Sequence, residues 1–275
     1  METSLGLGAG RTLGIIGGGV MGEALVSRLL AQAVYAPDAV LVSEPTASRR
    51  SFLADTYGLQ TTADNQAVLD TADVVLLAVK PQIFETVMAG VRPSKADQLV
   101  VSILAGTTLA KLEAAFVGQP VIRAMPNTPA TIGAGMTAIA PGQQATAEHL
   151  ALATQIFAAV GEVVEVPESL MDAVTGLSGS GPGFVALVIE ALADGGVAAG
   201  LPRAIAQKLA LQTVRGTAEL LQTTDLHPAQ LKDRVTSPGG TTIAGIAALE
   251  QAGLRHALIE AVRVSCRRSQ ELGSQ

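Results

Sequence analysis

The run at positions 235–245 contains the residue types of an anion-binding helix start. It reads Val-Thr-Ser-Pro-Gly-Gly-Thr-Thr-Ile-Ala-Gly, so two adjacent glycines and two threonines lead into an apolar helical pattern. A helix that begins here offers free backbone N–H groups and the positive end of its dipole to an anion. Ser237, Thr241 and Thr242 add hydroxyl donors at the same place. The run indicates a carboxylate or phosphate cradle; a capped helix after an ordinary turn is the structural alternative.

A second pattern of this kind lies near the start of the chain, where an apolar run at 13–16 precedes Gly-Gly-Gly-Val-Met-Gly. In the dinucleotide fingerprint the first glycine makes a tight turn, the second admits the pyrophosphate, and the third lets the helix approach the strand. Strand, glycines and following helical pattern agree here, so a nicotinamide cofactor is predicted, with a purely structural glycine turn as the alternative. The loop residues expected at the cofactor are Gly17, Gly18, Gly19, Val20, Met21 and Gly22.

The end of the second strand candidate bears on the choice of cofactor. An acidic residue about 20 positions after the glycines usually binds the ribose hydroxyls of NAD, whereas a nearby Arg accepts the 2′-phosphate of NADP. This chain has Ser43 and Glu44 there, followed by Arg49 and Arg50. If Glu44 points away from the ribose, Ser43, Thr46 and the arginines are placed to hold a phosphate; solvated surface charges are the alternative. The residues leave the choice between NADPH and NADH open.

Composition excludes several function classes. The 275 residues allow two domains with cores of their own, and 48% hydrophobic residues with 3% aromatic ones predict closely packed small side chains. A net charge of −6 argues against a nucleic-acid surface. The lone Cys266 leaves no internal disulfide and fits a reducing, cytoplasmic compartment. No metal site is expected, because the histidines and carboxylates lack ligand spacing and one cysteine cannot form a zinc cluster.

No targeting or membrane segment is predicted. Positions 1–10 lack the basic and apolar layout of a signal peptide and are expected to form a short flexible tail. The longest apolar stretch, 184–199, is interrupted by Glu190, Asp194 and two glycines, so we expect a buried helix rather than a membrane span.

Residues 12–166 alternate short β-branched runs with helical patterns. This alternation predicts an α/β fold with a mostly parallel, doubly wound sheet of the Rossmann type. Strand candidates are 12–16, 40–43, 74–78, 99–103, 121–124, 136–140 and 162–166, the last two expected as antiparallel additions. Helix candidates are 20–32, 47–57, 83–91, 109–116 and 146–160.

After Pro167 the strand patterns stop, which predicts a dinucleotide-binding domain at 1–167 and an all-helical domain at 168–275. Prolines near helix starts and glycines near helix ends support the assignment. These helices are apolar around much of their circumference, so one face is expected to be covered by a second chain in an obligate homodimer. The helix candidates are 170–177, 182–199, 202–221, 228–234, 241–251 and 255–272.

Several motifs together resemble those of pyrroline-5-carboxylate reductases. They are the glycine fingerprint, Ala-Val-Lys-Pro at 78–81, Arg-Ala-Met-Pro-Asn-Thr-Pro at 123–129, the run 172–182, Ala-Asp-Gly-Gly at 193–196, and the stretch from His227-Pro228 to the cradle. The resemblance covers nearly the whole chain. It implies an NAD(P)H-dependent oxidoreductase that reduces L-1-pyrroline-5-carboxylate to L-proline, the last step of proline biosynthesis. It favours NADPH, with NADH as a second donor, and implies a homodimer that can assemble into a ring of dimers.

The same resemblance assigns further site residues. Asn65, Val79, Lys80 and Ala105 match positions that contact the cofactor, and the loop 123–129 is expected to border the nicotinamide. Glu168 matches a substrate-contact position, with an ordinary surface charge before a helix as the alternative.

The cradle suits this chemistry. A cyclic imine needs its carboxylate held and its C=N carbon placed over C4 of the nicotinamide, because hydride transfer depends on the approach geometry. The amides of Gly240, Thr241 and Thr242 are suited to the carboxylate, with Ser237 and Thr241 securing it. A hydroxyl that binds the ring nitrogen stabilises the developing amine, so Thr242 is predicted as the catalytic residue.

Two rival classes fit less well. A β-hydroxyacid dehydrogenase shares the layout but places a catalytic Lys on the long helix, and 176–200 contains no Lys. A nucleotide-sensing regulator without catalysis has no use for an anion cradle that is dense in Ser and Thr.

Overall fold

The computed structural model describes residues 10–93 and 95–273. Nearly all of the predicted tail at 1–10 therefore lies outside the described residues. The chain divides into two compact units: the first comprises residues 1–180 with 265–275, and the second comprises 181–264. The domain boundary predicted at 167 stays a prediction, because in this division 168–180 and the end of the last helix group with the first unit.

The first unit contains eight strands in one sheet, in the spatial order β3-β2-β1-β4-β5-β6-β7-β8. Strands β1 to β6 are parallel; β7 is antiparallel to β6, and β8 is parallel to β7, so both late strands run against the rest, as predicted. The strands are β1 Leu13–Ile16, β2 Val40–Ser43, β3 Gln60–Thr62, β4 Val74–Leu77, β5 Leu99–Ser102, β6 Val121–Met125, β7 Gly135–Pro141 and β8 Gly161–Glu165.

Helices cover both faces of this sheet, which is the doubly wound arrangement expected from the alternating pattern. One apolar cluster joins alternate strand residues such as Ile15 to α1, α2 and α6, and the other joins residues such as Ile16 to α3, α4, α5 and α7. The helices are α1 Val20–Ala31, α2 Ala47–Tyr57, α3 Asn65–Thr71, α4 Phe84–Ala89, α5 Leu109–Ala115, α6 Ala147–Ala158 and α7 Met171–Val174.

Two short elements, β3 and α3, are absent from the sequence-based prediction. The three residues of β3 are Gln-Thr-Thr, and none of them is buried, so they carry no apolar alternation. The seven residues of α3 are too few for a clear helical period; the Asp64 carboxylate instead fixes its start by accepting the amide of Gln66 at 2.9 Å.

The predicted helix at 170–177 differs from the observed backbone. A 3-10 turn at Glu168–Leu170 leads into α7, and a π-helical turn at Thr175–Gly179 follows it. The added Cβ of an alanine at Gly179 would lie 2.7 Å from the Met125 Cε, so the wide turn accommodates a side chain from the end of β6.

The second unit contains only helices and a small core. Within this part of the described chain, its buried apolar cluster consists of three alanines, Ala193, Ala206 and Ala210, where α8 packs on α9. Small residues allow this approach, since a Cβ at Gly196 would lie 3.1 Å from the Ala206 Cβ. The helices are α8 Gly181–Ala198, α9 Arg203–Thr224, α10 Pro228–Arg234, α11 Thr241–Gln251 and α12 Leu254–Gly273, whose last residues group with the first unit.

The prediction of a buried helix at 184–199 is wrong for the single chain. Only Ala193 of α8 is buried, and Leu187 is 65% exposed. By length and composition the helical stretch Glu168–Ala198 could cross a membrane, with a mean hydropathy of 1.4, but one such helix is weak evidence. Large apolar side chains of α8 and α9 are therefore exposed in the single chain.

Candidate functional site

The predicted cofactor residues of the first unit lie at the carboxyl edge of the sheet. Because β1 to β6 are parallel, the loops after these strands meet along one edge. After β1 the chain enters α1 on one face, whereas after β4 it reaches α4 on the other. The crevice between β1 and β4 is therefore the topological switch point, where doubly wound sheets bind ligands.

The loop after β1 has the backbone geometry that a pyrophosphate needs. Gly17 has φ +110°, which makes the tight turn, and its amide donates to the carbonyl of Ser43 at the end of β2 at 2.9 Å. A Cβ at Gly22 would lie 2.3 Å from the Gly17 carbonyl oxygen, so only glycine lets α1 start so close to the strand. A Cβ at Gly19 would meet nothing within 4 Å, and α1 has no side-chain cap. Open space before free helix amides fits a nicotinamide dinucleotide.

Ser43 and Asn65 form one polar pair beside this loop. Ser43 is buried, and its hydroxyl donates to the Asn65 Oδ1 at 2.5 Å. The hydroxyl thereby fixes the first side chain of α3 at the edge of the crevice.

Glu44 lies against the glycine loop itself. Its carboxylate accepts the Gly18 amide at 3.2 Å and the Thr46 amide at 3.0 Å. Arg50 donates from one guanidinium nitrogen to the carbonyls of Glu44 and Pro45, both at 2.8 Å. The acidic residue thus lines the loop, and Arg50 lies beside the turn that follows β2.

Arg49 is held by the opposite side of the same loop. Its Nε donates to the Gly18 carbonyl at 2.7 Å, and its NH2 pairs with the carboxylate of Glu23 on α1. Tyr57 also donates to Glu23, at 2.8 Å. Although partial burial acts to raise the pKa of Glu23, the hydrogen bonds from Arg49 and Tyr57 and the Arg49 charge outweigh it and lower that pKa.

The loops after β4 and β5 also face this edge. Val79 is half-buried and Lys80 is exposed in the turn that leads to α4. Ala105 is half-buried and precedes Gly106, whose φ is +74°. The last helix closes on this loop, since a Cβ at Gly273 would lie 2.7 Å from the Gly106 carbonyl oxygen.

Asn127 organises the loop after β6. Its Nδ2 donates to the Ser178 carbonyl at 3.0 Å, and its Oδ1 accepts the Met136 amide at 2.9 Å. One side chain therefore ties the loop after β6 to β7 and to the π-helical turn. Turns of this type occur frequently at functional sites.

An ion cluster forms around the buried Arg123 side chain. The sequence predicted only that the loop 123–129 borders the nicotinamide and gave Arg123 no individual role. The Arg123 side chain is 5% exposed, and its guanidinium lies 3.1 Å from a Glu168 oxygen and 3.9 Å from an Asp172 oxygen. Ser269 donates to Asp172 at 2.6 Å, and the Leu109 amide donates to Glu168 at 2.5 Å. Glu168 is therefore anchored in a network rather than free at the surface. An Arg inside a Val-Ile strand was the signal for this cluster.

In the second unit, the helix start predicted at Thr241 forms. Gly239 has φ +69°, and the Gly240 amide donates to the Ser237 carbonyl at 3.0 Å, which closes a turn with Pro at its second position. The Gly240 amide is therefore occupied by the turn. Gly240 is the N-cap residue of α11, which has no side-chain cap, so the amides of Thr241 and Thr242 begin the helix without an intrahelical acceptor. Both threonines are exposed.

Two of the three histidines stabilise helix starts. The His149 Nδ1 accepts the Thr146 amide at 3.1 Å, and the His227 Nδ1 accepts the Ala229 amide at 3.2 Å. His256 is exposed on α12. Among the described residues no group of three His, Cys, Asp or Glu side chains is placed to hold a metal ion.

Comparisons with known proteins agree on one family. Residues 168–272 match the family model described as pyrroline-5-carboxylate reductase dimerisation, and residues 12–106 match the model described as NADP oxidoreductase, coenzyme F420-dependent. A pyrroline-5-carboxylate reductase of a Synechocystis species is 61% identical over 96% of this chain and 98% of its own length. The Escherichia coli enzyme is 41% identical over 95% of this chain and 98% of its own length.

Solved structures give the same result. A pyrroline-5-carboxylate reductase from Coxiella burnetii matches with a TM-score of 0.87 and 34% identity, over 95% of this chain and 98% of that one. A Plasmodium falciparum pyrroline carboxylate reductase with NADP bound matches with a TM-score of 0.88 and 30% identity, over 96% of this chain and 98% of that one. The chain belongs to the pyrroline-5-carboxylate reductases, the NAD(P)H-dependent oxidoreductases that catalyse the last step of proline biosynthesis.

Proposed function

We propose that this chain reduces L-1-pyrroline-5-carboxylate to L-proline with the residues that the two units display. The observation that carries the proposal is the open start of α11, which follows a Pro-Gly turn and has no cap of its own. The first amides of this 11-residue helix have no side-chain cap, and together with the helix dipole they favour an anion at the N-terminus. The substrate's carboxylate is such an anion.

The amides of Thr241 and Thr242 hold that carboxylate, together with the hydroxyls of Ser237 and Thr241. Gly240 contributes its lack of a side chain, since a Cβ there would lie 2.4 Å from the Ser237 Oγ. The glycine keeps the turn closed and the approach to the helix start clear.

As the C=N bond is reduced, a lone pair forms on the ring nitrogen, and the Thr242 hydroxyl donates a hydrogen bond to it and stabilises the developing amine. When bound, NADPH supplies the hydride that adds to the C=N carbon, and a protonated ring nitrogen keeps the proton already on it. Glu168 is the further substrate-side residue, held by Arg123.

The cofactor side of the proposal uses the crevice of the first unit. The loop Gly17, Gly18, Gly19, Val20, Met21 and Gly22 takes the pyrophosphate, and Ser43, Asn65, Val79, Lys80 and Ala105 contact the remainder of the cofactor. The open space at Gly19 and the positive φ of Gly17 support this placement.

Assembly and location belong to the same proposal. The exposed apolar faces of the second unit meet in a homodimer, and dimers associate into a ring, so these faces contact protein and not a membrane. We place the enzyme in the cytoplasm, where the free thiol of Cys266 is stable.

The role of α11 is tested by changing the threonine hydroxyls one at a time. Thr242→Val removes the hydroxyl with little change of shape, and we expect kcat for proline formation to fall about 100-fold, the usual loss for one such donor. Thr242→Ser retains most activity, and Thr241→Val raises KM more than it lowers kcat. The matched control is Thr71→Val, which changes an exposed threonine at the end of α3. If the double variant Thr241→Ala with Thr242→Ala turns over at an unchanged rate, the substrate site at the start of α11 is refuted.

A further inference from the structure

Among the described residues, Glu44 is the acidic residue whose side chain accepts a hydrogen bond from the glycine loop. Its position bears on the choice of nicotinamide cofactor. It follows directly after β2 and accepts the Gly18 amide at 3.2 Å and the Thr46 amide at 3.0 Å. Two backbone bonds fix the carboxylate, so it is not a freely solvated charge. An acidic residue at this position in doubly wound folds accepts the ribose 2′-hydroxyl.

Packing also fixes the stem of this side chain. A Cβ at Gly18 would lie 3.2 Å from the Glu44 Cβ and 2.8 Å from the Leu53 Cδ1. The Glu44 stem thus lies directly against the loop, and Leu53 from α2 packs against the same glycine. Moving the carboxylate aside costs both amide bonds and this contact.

Of the two nearby arginines, Arg49 is already paired with a carboxylate. Arg49 bonds the Gly18 carbonyl and pairs with Glu23, and its guanidinium lies 5.0 Å from the centre of the Phe52 ring. Because Glu23 neutralises Arg49, this guanidinium offers little net attraction to a second anion. Arg50 is the next residue, and one nitrogen of its guanidinium donates to the carbonyls of Glu44 and Pro45.

A cofactor with a 2′-phosphate would therefore meet the fixed Glu44 carboxylate and the Arg50 guanidinium, which among the described residues is hydrogen-bonded to carbonyls and not paired with a carboxylate. The phosphate carries about −1.5 to −2 charges near neutral pH, so a neighbouring carboxylate opposes it while Arg50 attracts it. A cofactor with a 2′-hydroxyl would instead find the Glu44 carboxylate as a hydrogen-bond acceptor. Glu44 and Arg50 thus have opposite effects on the affinity for a 2′-phosphate.

From this balance we infer that Glu44 is a specificity-determining residue that weakens the preference for NADPH and keeps NADH as an effective hydride donor. The inference rests on the proposed cofactor site of the first unit. Arg50 is the opposing residue, which retains affinity for the 2′-phosphate.

The test uses binding of cofactor fragments that lack the nicotinamide, so that it does not depend on substrate or turnover. Calorimetry of the full-length protein compares ADP-ribose with 2′-phospho-ADP-ribose. Glu44→Gln removes the charge and keeps one of the two acceptor oxygens, so one of the two backbone amides loses its partner. For this variant we expect the ratio of affinities to shift about tenfold towards the 2′-phosphate probe. Initial rates with NADPH and NADH should shift in the same direction.

Two further variants make the result specific. Arg50→Gln is expected to weaken the 2′-phosphate probe about tenfold and to leave ADP-ribose within twofold. Glu162→Gln changes the net charge equally on β8, at the far end of the sheet from β2, and should leave the ratio unchanged.

The outcomes separate this inference from the proposed function. If both probes bind and Glu44→Gln leaves their ratio within twofold of the unchanged protein, Glu44 does not select the cofactor, although the site stands. If neither probe binds the unchanged protein, the proposed cofactor site and this inference both fail. Thermal unfolding of each variant with its probe shows whether the fold is retained.

Discussion

The two units of this chain differ in how far they are complete on their own. In the first unit, a sheet of eight strands is covered on both faces, and side chains such as Ile15, Leu76 and Phe157 are at most 1% exposed. In the second unit, the described buried cluster is three alanines, and large apolar side chains on α8 and α9 face outward. The cofactor half is built within one chain, whereas the helical half requires a second chain to bury its apolar surface.

This difference explains why the family model for the helical half is named for dimerisation. Apolar helix surface of this extent is stable in water only when a partner covers it. The start of α11 shares this dependence, because every residue from Thr241 to Gly245 is exposed in the single chain.

The largest effect is expected from charges placed on the exposed apolar faces of the second unit. Leu187 on α8 and Leu211 on α9 are 65% and 57% exposed in the single chain. The double variant Leu187→Asp with Leu211→Asp should dissociate the dimer, because burying an unpaired charge costs several kcal/mol. Proline formation should fall at least about 100-fold, while calorimetry still finds ADP-ribose binding to the first unit.

Analytical ultracentrifugation measures this dissociation, and Leu187→Ile with Leu211→Ile is the matched control. If the charged variant stays dimeric and active, the dimer interface does not include these faces of α8 and α9, and the proposed difference between the two units is wrong.

A smaller effect is expected in the closed core of the first unit. Leu76 lies on β4 at the centre of the sheet and is 1% exposed, so Leu76→Ala leaves a cavity. The free energy of unfolding should fall by about 2–5 kcal/mol. Because Leu76 is buried within the single chain, urea unfolding should show a loss that does not depend on protein concentration.

Leu209→Ala on α9, 53% exposed in the single chain, provides the contrast. Its cost should grow on dilution, since a dimer contact is stabilised by mass action. If the loss depended on protein concentration in the same way for both variants, the first unit would not have a core independent of the dimer, and the proposed difference between the two units would be wrong.

The smallest effect concerns the ion pair between α1 and α2. Folding lowers the pKa of Glu23 below its ordinary value of 4.5, so the ionised carboxylate stabilises the folded state. This contribution is complete above pH 4.5 and is lost as the pH falls through the lowered pKa. Glu23→Gln should cost about 1 kcal/mol at pH 7 and much less in acid.

Chemical unfolding at a series of pH values measures this difference, with Glu162→Gln on the exposed end of the sheet as the control. A cost for Glu23→Gln that stays constant down to pH 3 contradicts the ion-pair explanation.

Most of the α/β half was predictable from residue order. The seven predicted strands and five predicted helices before residue 167 all form, with ends within three residues of the prediction, because buried parallel strands leave continuous apolar runs. The glycine loop was equally visible, since a tight turn and a close helix approach require glycine. The polar strand β3 and the short helix α3 left no such signal.

The polar contacts within the site were less accessible to sequence reasoning. Ser43 with Asn65, Arg123 with Glu168, and Asn127 with Ser178 are separated by 22, 45 and 51 positions. Only folding brings such pairs together, and the choice among many polar residues depends on which strand ends become neighbours.

The sequence by itself determined the family, the α/β order, the glycine loop and the helix start at Thr241, because these depend on local patterns and on backbone freedom at glycine. The tertiary structure decided that Glu44 lies on the Gly18 amide, that Arg49 is paired with Glu23, and that the Gly240 amide is used by its own turn. It also showed that α8 is exposed in one chain. Those properties depend on distance and burial, which arise only when separate elements pack.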